Sequence, residues 1–328
     1  MPAVSVIIPA FNAERYIGDA LASVRGQMRD MEVLVVDDGS TDGTVKTAEA
    51  FADAFDLTIL RQTNGGPSAA RNIAIQRARS PYIAFLDADD VMLPQRLATQ
   101  AELLDQEPDV ALVHTDLMTF DDSGIIHRTR WAFSNPCGGM VLDRLLMDNF
   151  ITTSTVMART DQLIEAGMFN VARPISHDFE LWLRLAARWK IGYIDHPFIQ
   201  YRYVQGSVSA DKLASARDAL AVIEAFWRDH PDHRQRYPDV HRRSIGEYLA
   251  VAGSAAAARG ERGAALCYVL QSLRWNAWNR RAWKSLAKVM IRTAHPAELR
   301  RPSATQKSAG ECTENSFRPD CVQNPIHR

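Results

Sequence analysis

The stretch Tyr82–Asp90, YIAFLDADD, decides how the rest of this chain is read. An apolar run from Tyr82 to Leu86 ends abruptly in the carboxylates Asp87, Asp89 and Asp90. A short apolar run with a polar stop predicts a strand buried inside a parallel sheet. In open α/β sheets ligands bind beyond the carboxyl ends of the strands, so acids at such an end belong to a site. Hard carboxylate oxygens suit Mg²⁺ or Mn²⁺ shared with substrate phosphates. The competing reading is a cap: Asp90 or a neighbour would cover the start of a helix near Pro94.

Upstream, the same rhythm occurs twice more. Residues 4–8 (VSVII) form a β-branched run closed by Pro9, and Ile17, Ala20, Leu21 and Val24 then recur at helical spacing. Phe11 and Asn12 occupy the turn, with neither a GxGxxG nor a GxxxxGK[ST] fingerprint. An aromatic ring there stacks on a base or packs under the helix. In EVLVVDDGSTDGT the buried run Val33–Val36 ends in Asp37 and Asp38, with Ser40 or Thr41 as the expected helix cap. Residues 57–61 supply a third strand, and NGGPSAARNIAI follows. Gly65 and Gly66 allow close backbone approach, Pro67 suits a first helical turn, and Arg71 lies one turn in, where phosphates bind readily. Strand and helix in alternation predict a parallel sheet with helices on both faces. The strand ends then bring Phe11, Asp37/Asp38 and Asp87/Asp89 to one edge.

The bulk properties are those of an ordinary globular protein. The chain has 328 residues, 46% hydrophobic and 23% charged, with a formal net charge of -1. That balance argues against general nucleic-acid binding, which needs a strong basic field. Cys137, Cys267, Cys312 and Cys321 include no CxxC pair, which favours reduced thiols in a cytoplasmic setting over zinc or a disulfide framework. No leader is visible ahead of the first strand, and no apolar stretch reaches the eighteen or so residues of a membrane span.

Beyond Asp90, PQRLATQAELLDQ reads as a helix, VALVHTDLMTF as a strand, Ile125–Phe133 as an antiparallel excursion, and residues 152–158 as a further strand. HDFELWLRLAARW is strongly helical, with His177 and Asp178 at its start. Asp178 there is either a capping acid or a general base. Strands 191–194 and 197–203 close this region. Helices then follow over 212–229, 242–258, 261–273 and 279–292. In the last, Ala282, Trp283, Leu286, Val289 and Met290 form one face and Arg281, Lys284, Lys288 and Arg292 another, with Trp275 and Trp278 just upstream. Residues 275–292 thus suit either peripheral docking on an anionic membrane or a packed helix pair with a solvated basic face. The tail at 296–328 is polar, a composition that favours disorder.

From about Val4 to Ser209 the chain resembles the family 2 glycosyltransferases, inverting enzymes of the GT-A fold that use nucleotide-diphospho-sugars. The resemblance rests on VSVIIPAFNAERYI, VLVVDDGSTDGT, NGGPSAARNIAI, YIAFLDADD and HDFELWLRLA, in family order. It implies a Rossmann-like, mostly parallel α/β sheet flanked by helices over 1–209, with a donor half to about 115 and an acceptor half to 209. A C-terminal helical extension covers 210–295. It further implies that Pro9 and Phe11 line the nucleotide pocket, that Asp38 accepts from the base, often uracil, and that Arg71 approaches the diphosphate. Asp87-Ala88-Asp89 matches the DxD motif, Asp87 toward ribose and metal and Asp89 as the direct ligand of Mn²⁺ or Mg²⁺. Asp178 matches the catalytic base, and His177, Glu180 and Trp182 stand where acceptor contact or tuning of that base is expected.

Two positions depart from the family pattern. His177 replaces the Glu that commonly precedes the base, and Val204 stands where a YRxH histidine often serves the metal or diphosphate; His196 is out of register for that role. Weaker metal binding is therefore expected, with water in place of the lost ligand. The activity implied is transfer from a nucleotide-diphospho-sugar, UDP-sugars first, to a glycan, lipid-linked or protein acceptor in cell-surface or exported polysaccharide synthesis. The location implied is cytoplasmic or peripheral at the inner face of the cell membrane. The alternative is a non-catalytic sugar-nucleotide binder with an assembly module. A nucleotidyltransferase would want GxGxR after the first strand, where AFNAER stands.

Overall fold

In a computed structural model of the protein, residues 1–121, 124, 126–127, 136–173, 175–204 and 211–294 are described. The expected disordered tail, the linker at 205–210 and most of the excursion after Asp121 lie outside them.

The first half alternates as its patterning predicts. The elements are β1 (Val4–Ala10), α1 (Ile17–Val24), β2 (Met31–Asp37), α2 (Thr44–Glu49), β3 (Asp56–Arg61), α3 (Gly66–Arg77) and β4 (Tyr82–Phe85). There follow β5 (Val91–Met92), α4 (Arg96–Gln106), β6 (Val110–Phe120), β7 (Ile126–His127), α5 (Leu142–Leu145), β8 (Met157–Arg159), α6 (Thr160–Glu165), α7 (His177–Ala186) and β9 (Lys190–Arg202). The chain then turns wholly helical through α8 (Lys212–Asp229), α9 (Pro231–Arg236), α10 (Pro238–Ala258), α11 (Arg262–Trp275) and α12 (Arg280–Ala294).

Strands β1 to β4 are parallel, in the order β3-β2-β1-β4. The sheet continues β8-β6-β9-β5, with β8 antiparallel to both neighbours and β6 parallel to β9. β2 is buried along its whole length, as a strand covered on both faces must be, whereas β3 at the edge has exposed residues. Alternation along the strands divides the core. Ile7, Leu34, Val36 and Phe85 face α3, α7, α8 and α10, while Val6, Ile8, Val33 and Val35 face α1 and α4. The pairings Ala10↔Asp37 and Ile7↔Phe85 bring the carboxyl ends of β1, β2 and β4 to one edge.

Helices α8 and α10 belong to the same core as the sheet. Leu220, Ile223, Phe226, Trp227, Ile245 and Tyr248 join a cluster with Phe179 and Trp182, and the Phe179 and Tyr248 rings stack at 5.8 Å. Residues Met1–Val289 form one compact unit.

Several local expectations are corrected. The two strands expected at 191–203 are one, β9, whose register with β6 jumps from Ile194 to Pro197. Proline has no N–H for the ladder, and a bulge at Asp195–His196 lets the strand continue past it. Residues 153–155 form a 3₁₀ turn instead of strand, closed by the Thr155 hydroxyl donating to the Thr152 carbonyl at 2.7 Å. α2 begins at Thr44, after Ser40 and Thr41, and the Asp42 carboxylate accepts the Thr44 N–H. Asp90 does not cap α4, which starts at Arg96 behind the left-handed Gln95; it accepts the Arg202 N–H at 2.9 Å and ties β9 to the loop after β4. In α12, Ala282, Ser285 and Val289 are buried, while Trp283 and Met290 are more than half exposed, so the expected apolar face is divided.

Candidate active site

The carboxyl-terminal edge of the sheet opens into a cleft of about 610 Å³. Pro9, Phe11, Asp38, Arg71, Asp87, Asp89, His177 and Asp178 all line it. Residues separated by up to 169 positions thus meet at one place (178 − 9).

The loop after β1 is knitted to the loop after β2. Asn12 sits in the left-handed region at φ 47, its Oδ1 accepts the Thr41 N–H at 2.9 Å, and its own N–H donates to the Ser40 hydroxyl. Ala13 N–H donates to Thr44 Oγ1 at 2.7 Å. These bonds leave Phe11 half exposed over the cleft instead of packed under α1. Asp38 is buried and accepts from the Gln62 amide at 2.6 Å, Gly65 N–H at 2.7 Å and Gly66 N–H at 2.8 Å. A carboxylate offers about four acceptor positions, so roughly one is left for a ligand. Gly39 permits the approach of this turn: at φ +83, a Cβ there would lie 3.1 Å from Asn64 N.

Arg71 rises from the first turns of α3 and is nearly buried. It donates to Asp87 at 2.5 Å, lies 2.9 Å from His177 Nε2, and covers the Phe169 ring at 5.4 Å. Below it, the Ser154 hydroxyl accepts the Asp87 N–H at 3.1 Å. The fully buried Arg96 donates to the Phe85 and Val156 carbonyls and to Gln100, fixing β4 against the 3₁₀ turn. Burial depresses the Arg96 guanidinium to about 9, partly offset by Asp90.

Asp178 lies in the first turn of α7. Its Oδ2 accepts the Thr153 hydroxyl at 3.2 Å and its Oδ1 the N–H of Phe179 at 2.7 Å. It does not cap the helix; that position is Ser176, whose N–H donates to Asp218 of α8 at 2.7 Å. Thr153 and Asp218 went unrecognised in the sequence. One threonine among the four hydroxyl residues 152–155 and an acid inside an alanine-rich helix carry no local signal.

Of the expected acceptor contacts, His177 lines the cleft but Glu180 and Trp182 do not. Glu180 pairs with Arg184 at 2.8 Å along α7. Trp182 is fully buried against Phe85 and Phe169, because the apolar side of α7 is the side that seals the core. His196 packs on Phe198, with ring centroids 4.5 Å apart, and does not line the cleft.

The Asp87 and Asp89 carboxylates fit a hard divalent cation. Burial and the neighbouring Asp87 charge push the Asp89 carboxyl up to about 6, a cost that a bound dication relieves. No group of three or more His, Cys, Asp or Glu with metal-site geometry occurs among the described residues. The Val204 side chain supplies no ligand atom. The remaining ligands of such an ion would come from the donor's phosphates and water, as is common for Mg²⁺.

Residues 5–162 match the family model Glycosyl transferase family 2. The chain is 31% identical over 236 residues to the putative teichuronic acid biosynthesis glycosyltransferase TuaG of Bacillus subtilis, covering 70% of this chain and 90% of TuaG. Other relatives are longer, and the chain spans 33% of two of them. The structure superposes on residues 1–349 of Staphylococcus aureus TarS in complex with UDP-GlcNAc with a TM-score of 0.56, at 18% identity, over 91% of this chain and 93% of that one. It superposes on the Pyrobaculum calidifontis mannosyltransferase PcManGT in complex with GDP-Man and Mn²⁺ with a TM-score of 0.58, at 20% identity, over 90% of this chain and 88% of that one. The fold is therefore the GT-A type, and the chain belongs to glycosyl transferase family 2.

Proposed function

We propose that this glycosyltransferase moves a sugar from a UDP-sugar to a hydroxyl of a glycan or lipid-linked acceptor, with inversion, in building a cell-surface polysaccharide. The carrying observation is the convergence of Phe11, Asp38, Arg71, Asp87, Asp89 and Asp178 on one cleft. The UDP-GlcNAc complex of TarS and the relationship to TuaG support the donor and the class of product.

Asp178 takes the acceptor's hydroxyl proton as the oxygen attacks the anomeric carbon from the face opposite the diphosphate. The bond from that carbon to the phosphate oxygen breaks, and the electron pair leaves with the nucleoside diphosphate. Thr153 holds the Asp178 carboxylate in place, which lowers the reorganisation needed at the moment of transfer. Arg71 supplies positive charge where the leaving group gains negative charge. Asp87 and Asp89 are the residues that would hold Mn²⁺ or Mg²⁺, whose bound form offsets charge on the departing diphosphate.

Two measurements test this reading. A thermal-shift screen of nucleotide sugars with Mn²⁺ is expected to give the largest rise with a UDP-sugar, about 2.7 kcal/mol at a hundredfold excess over Kd. D178N is expected to abolish transfer, at least 100-fold, while UDP binding persists. Turnover by D178N at the wild-type rate would remove Asp178 from the role of base.

The segment at 275–292 in the C-terminal helical extension is read as a peripheral contact with an anionic bilayer. Trp278 and Trp283 are 90% and 53% exposed, beside the exposed cations Arg280, Lys284 and Lys288. No described helix is long and apolar enough to cross a membrane. Aromatic rings among cations suit the headgroup region. The full chain is expected to sediment with phosphatidylglycerol vesicles but not with phosphatidylcholine vesicles, and K284E/K288E to stay in the supernatant. Unchanged partitioning of that variant would refute the contact.

A further inference from the structure

Arg71 is the only arginine or lysine among the described residues lining the cleft, and how it is held bears on donor binding. Its side chain is 4% exposed. One terminal nitrogen donates to Asp87 at 2.5 Å, and the other lies 2.9 Å from His177 Nε2. A guanidinium carries donors only and stays charged in proteins. The short contact therefore requires His177 to present a lone pair at Nε2. The imidazole is then neutral, with its proton on Nδ1, and that nitrogen is buried without a hydrogen-bond partner among the described residues. The Phe169 ring packs against both groups, at 5.4 Å from the guanidinium and 5.9 Å from the imidazole.

We propose that His177 is a positioning residue: as the neutral Nδ1–H tautomer it accepts from Arg71, aims the guanidinium at the donor's diphosphate, and releases it when the ring is protonated. The inference rests on the reading of the cleft as the donor site. With Asp87 alone the guanidinium would be held from one side and free to rotate. A second acceptor fixes its plane. A neutral acceptor does so without cancelling the cleft's cation, whereas a carboxylate at position 177 would add a negative charge beside a diphosphate.

The ring is faced by Arg71 from α3, Asp87 from the loop after β4, Asp178 from α7 itself and Asp218 from α8. Burial and Arg71 hold it below the ordinary histidine range, against the pull of the three carboxylates. Protonation turns Nε2 into a donor facing a donor, and the contact is lost. The switch therefore acts in acid, and the positioned state prevails at neutral pH.

The test is UDP binding to the full chain by calorimetry from pH 7.5 to 5, with folding checked by thermal melts. H177L, which offers no acceptor, is expected to raise the UDP Kd at least tenfold at pH 7.5. H177Q keeps an acceptor oxygen but cannot titrate there, and should bind within about threefold of wild type. The terminal phosphate of UDP itself titrates at about pH 6, as phosphate monoesters do, so the quantity read is the ratio of wild-type to H177Q Kd at each pH. That ratio should rise as pH falls. A flat ratio, or H177L binding as tightly as wild type, overturns the proposal while leaving the donor site intact. Absence of UDP binding by wild type at every pH overturns the donor-site reading with it. Nitrogen-15 spectra of labelled histidine provide an arm independent of any variant: the Nδ1–H tautomer is expected for His177 at pH 7.5, and an Nε2–H signature refutes it.

Discussion

At the scale of single residues, polar groups in this protein are bound by what they touch and not by where they stand in a motif. Asp90, the third acid of the motif, is turned inward to hold β9, while Asp87 and Asp89 face the cleft. His114 shows the energetic side. It is fully buried between Phe150 and Tyr193, and burial depresses its imidazole to about 4. An unfolded histidine binds its proton near 6.5. Between about pH 6.5 and 4 the unfolded chain therefore holds more protons than the folded one, and stability falls as pH falls through that window. The loss from pH 7 to pH 5 is expected to be on the order of 2 kcal/mol. H114F should remove most of it, seen as a smaller drop in Tm between those pH values; an unchanged drop would assign the acid sensitivity to other groups.

At the scale of elements, α7 is aimed by a helix outside the resemblance. Asp218 of α8 accepts from Ser176 N–H and from Arg173 at 3.1 Å, pinning the segment that leads into His177 and Asp178. D218A is expected to lower kcat by about 10- to 100-fold, since small misplacement of a catalytic group is costly. UDP Kd should rise by less than kcat falls, because Asp38 and Asp87 lie on other elements and α7 reaches the donor side through the His177–Arg71 contact. An equal loss in both would show a general collapse of the cleft. The paired turns after β1 and β2 follow the same logic: Asn12 accepts from Thr41 and Thr44 accepts from Ala13, so neither turn is specified by its own residues alone.

At the scale of the whole molecule, the helical extension completes the core. Seven large side chains, Leu220, Ile223, Phe226, Trp227, Ile245, Tyr248 and Leu249, join the cluster over α7. Each is worth about 1.5–3 kcal/mol on burial, and together they match or exceed the roughly 5–15 kcal/mol of a typical domain. A chain ending at residue 209 is therefore expected to fail to fold, read as lost cooperativity in thermal melts and recovery in the insoluble fraction. A soluble, cooperatively melting 1–209 fragment would show that the two parts stand apart.

The sequence by itself determined the alternation of strand and helix through residue 90 and the acids at the strand ends, because buried parallel strands require unbroken apolar runs and their polar stops must be local. It also marked Arg71, Asp87, Asp89 and Asp178 as candidates, and the cleft brings them together. Only the tertiary structure decided which hydroxyl holds Asp178, that Trp182 seals the core, that Asp90 faces inward and that His177 meets Arg71. The polar contacts among these join residues 25 to 112 positions apart, and no local pattern encodes which partner a side chain finds once the sheet has formed.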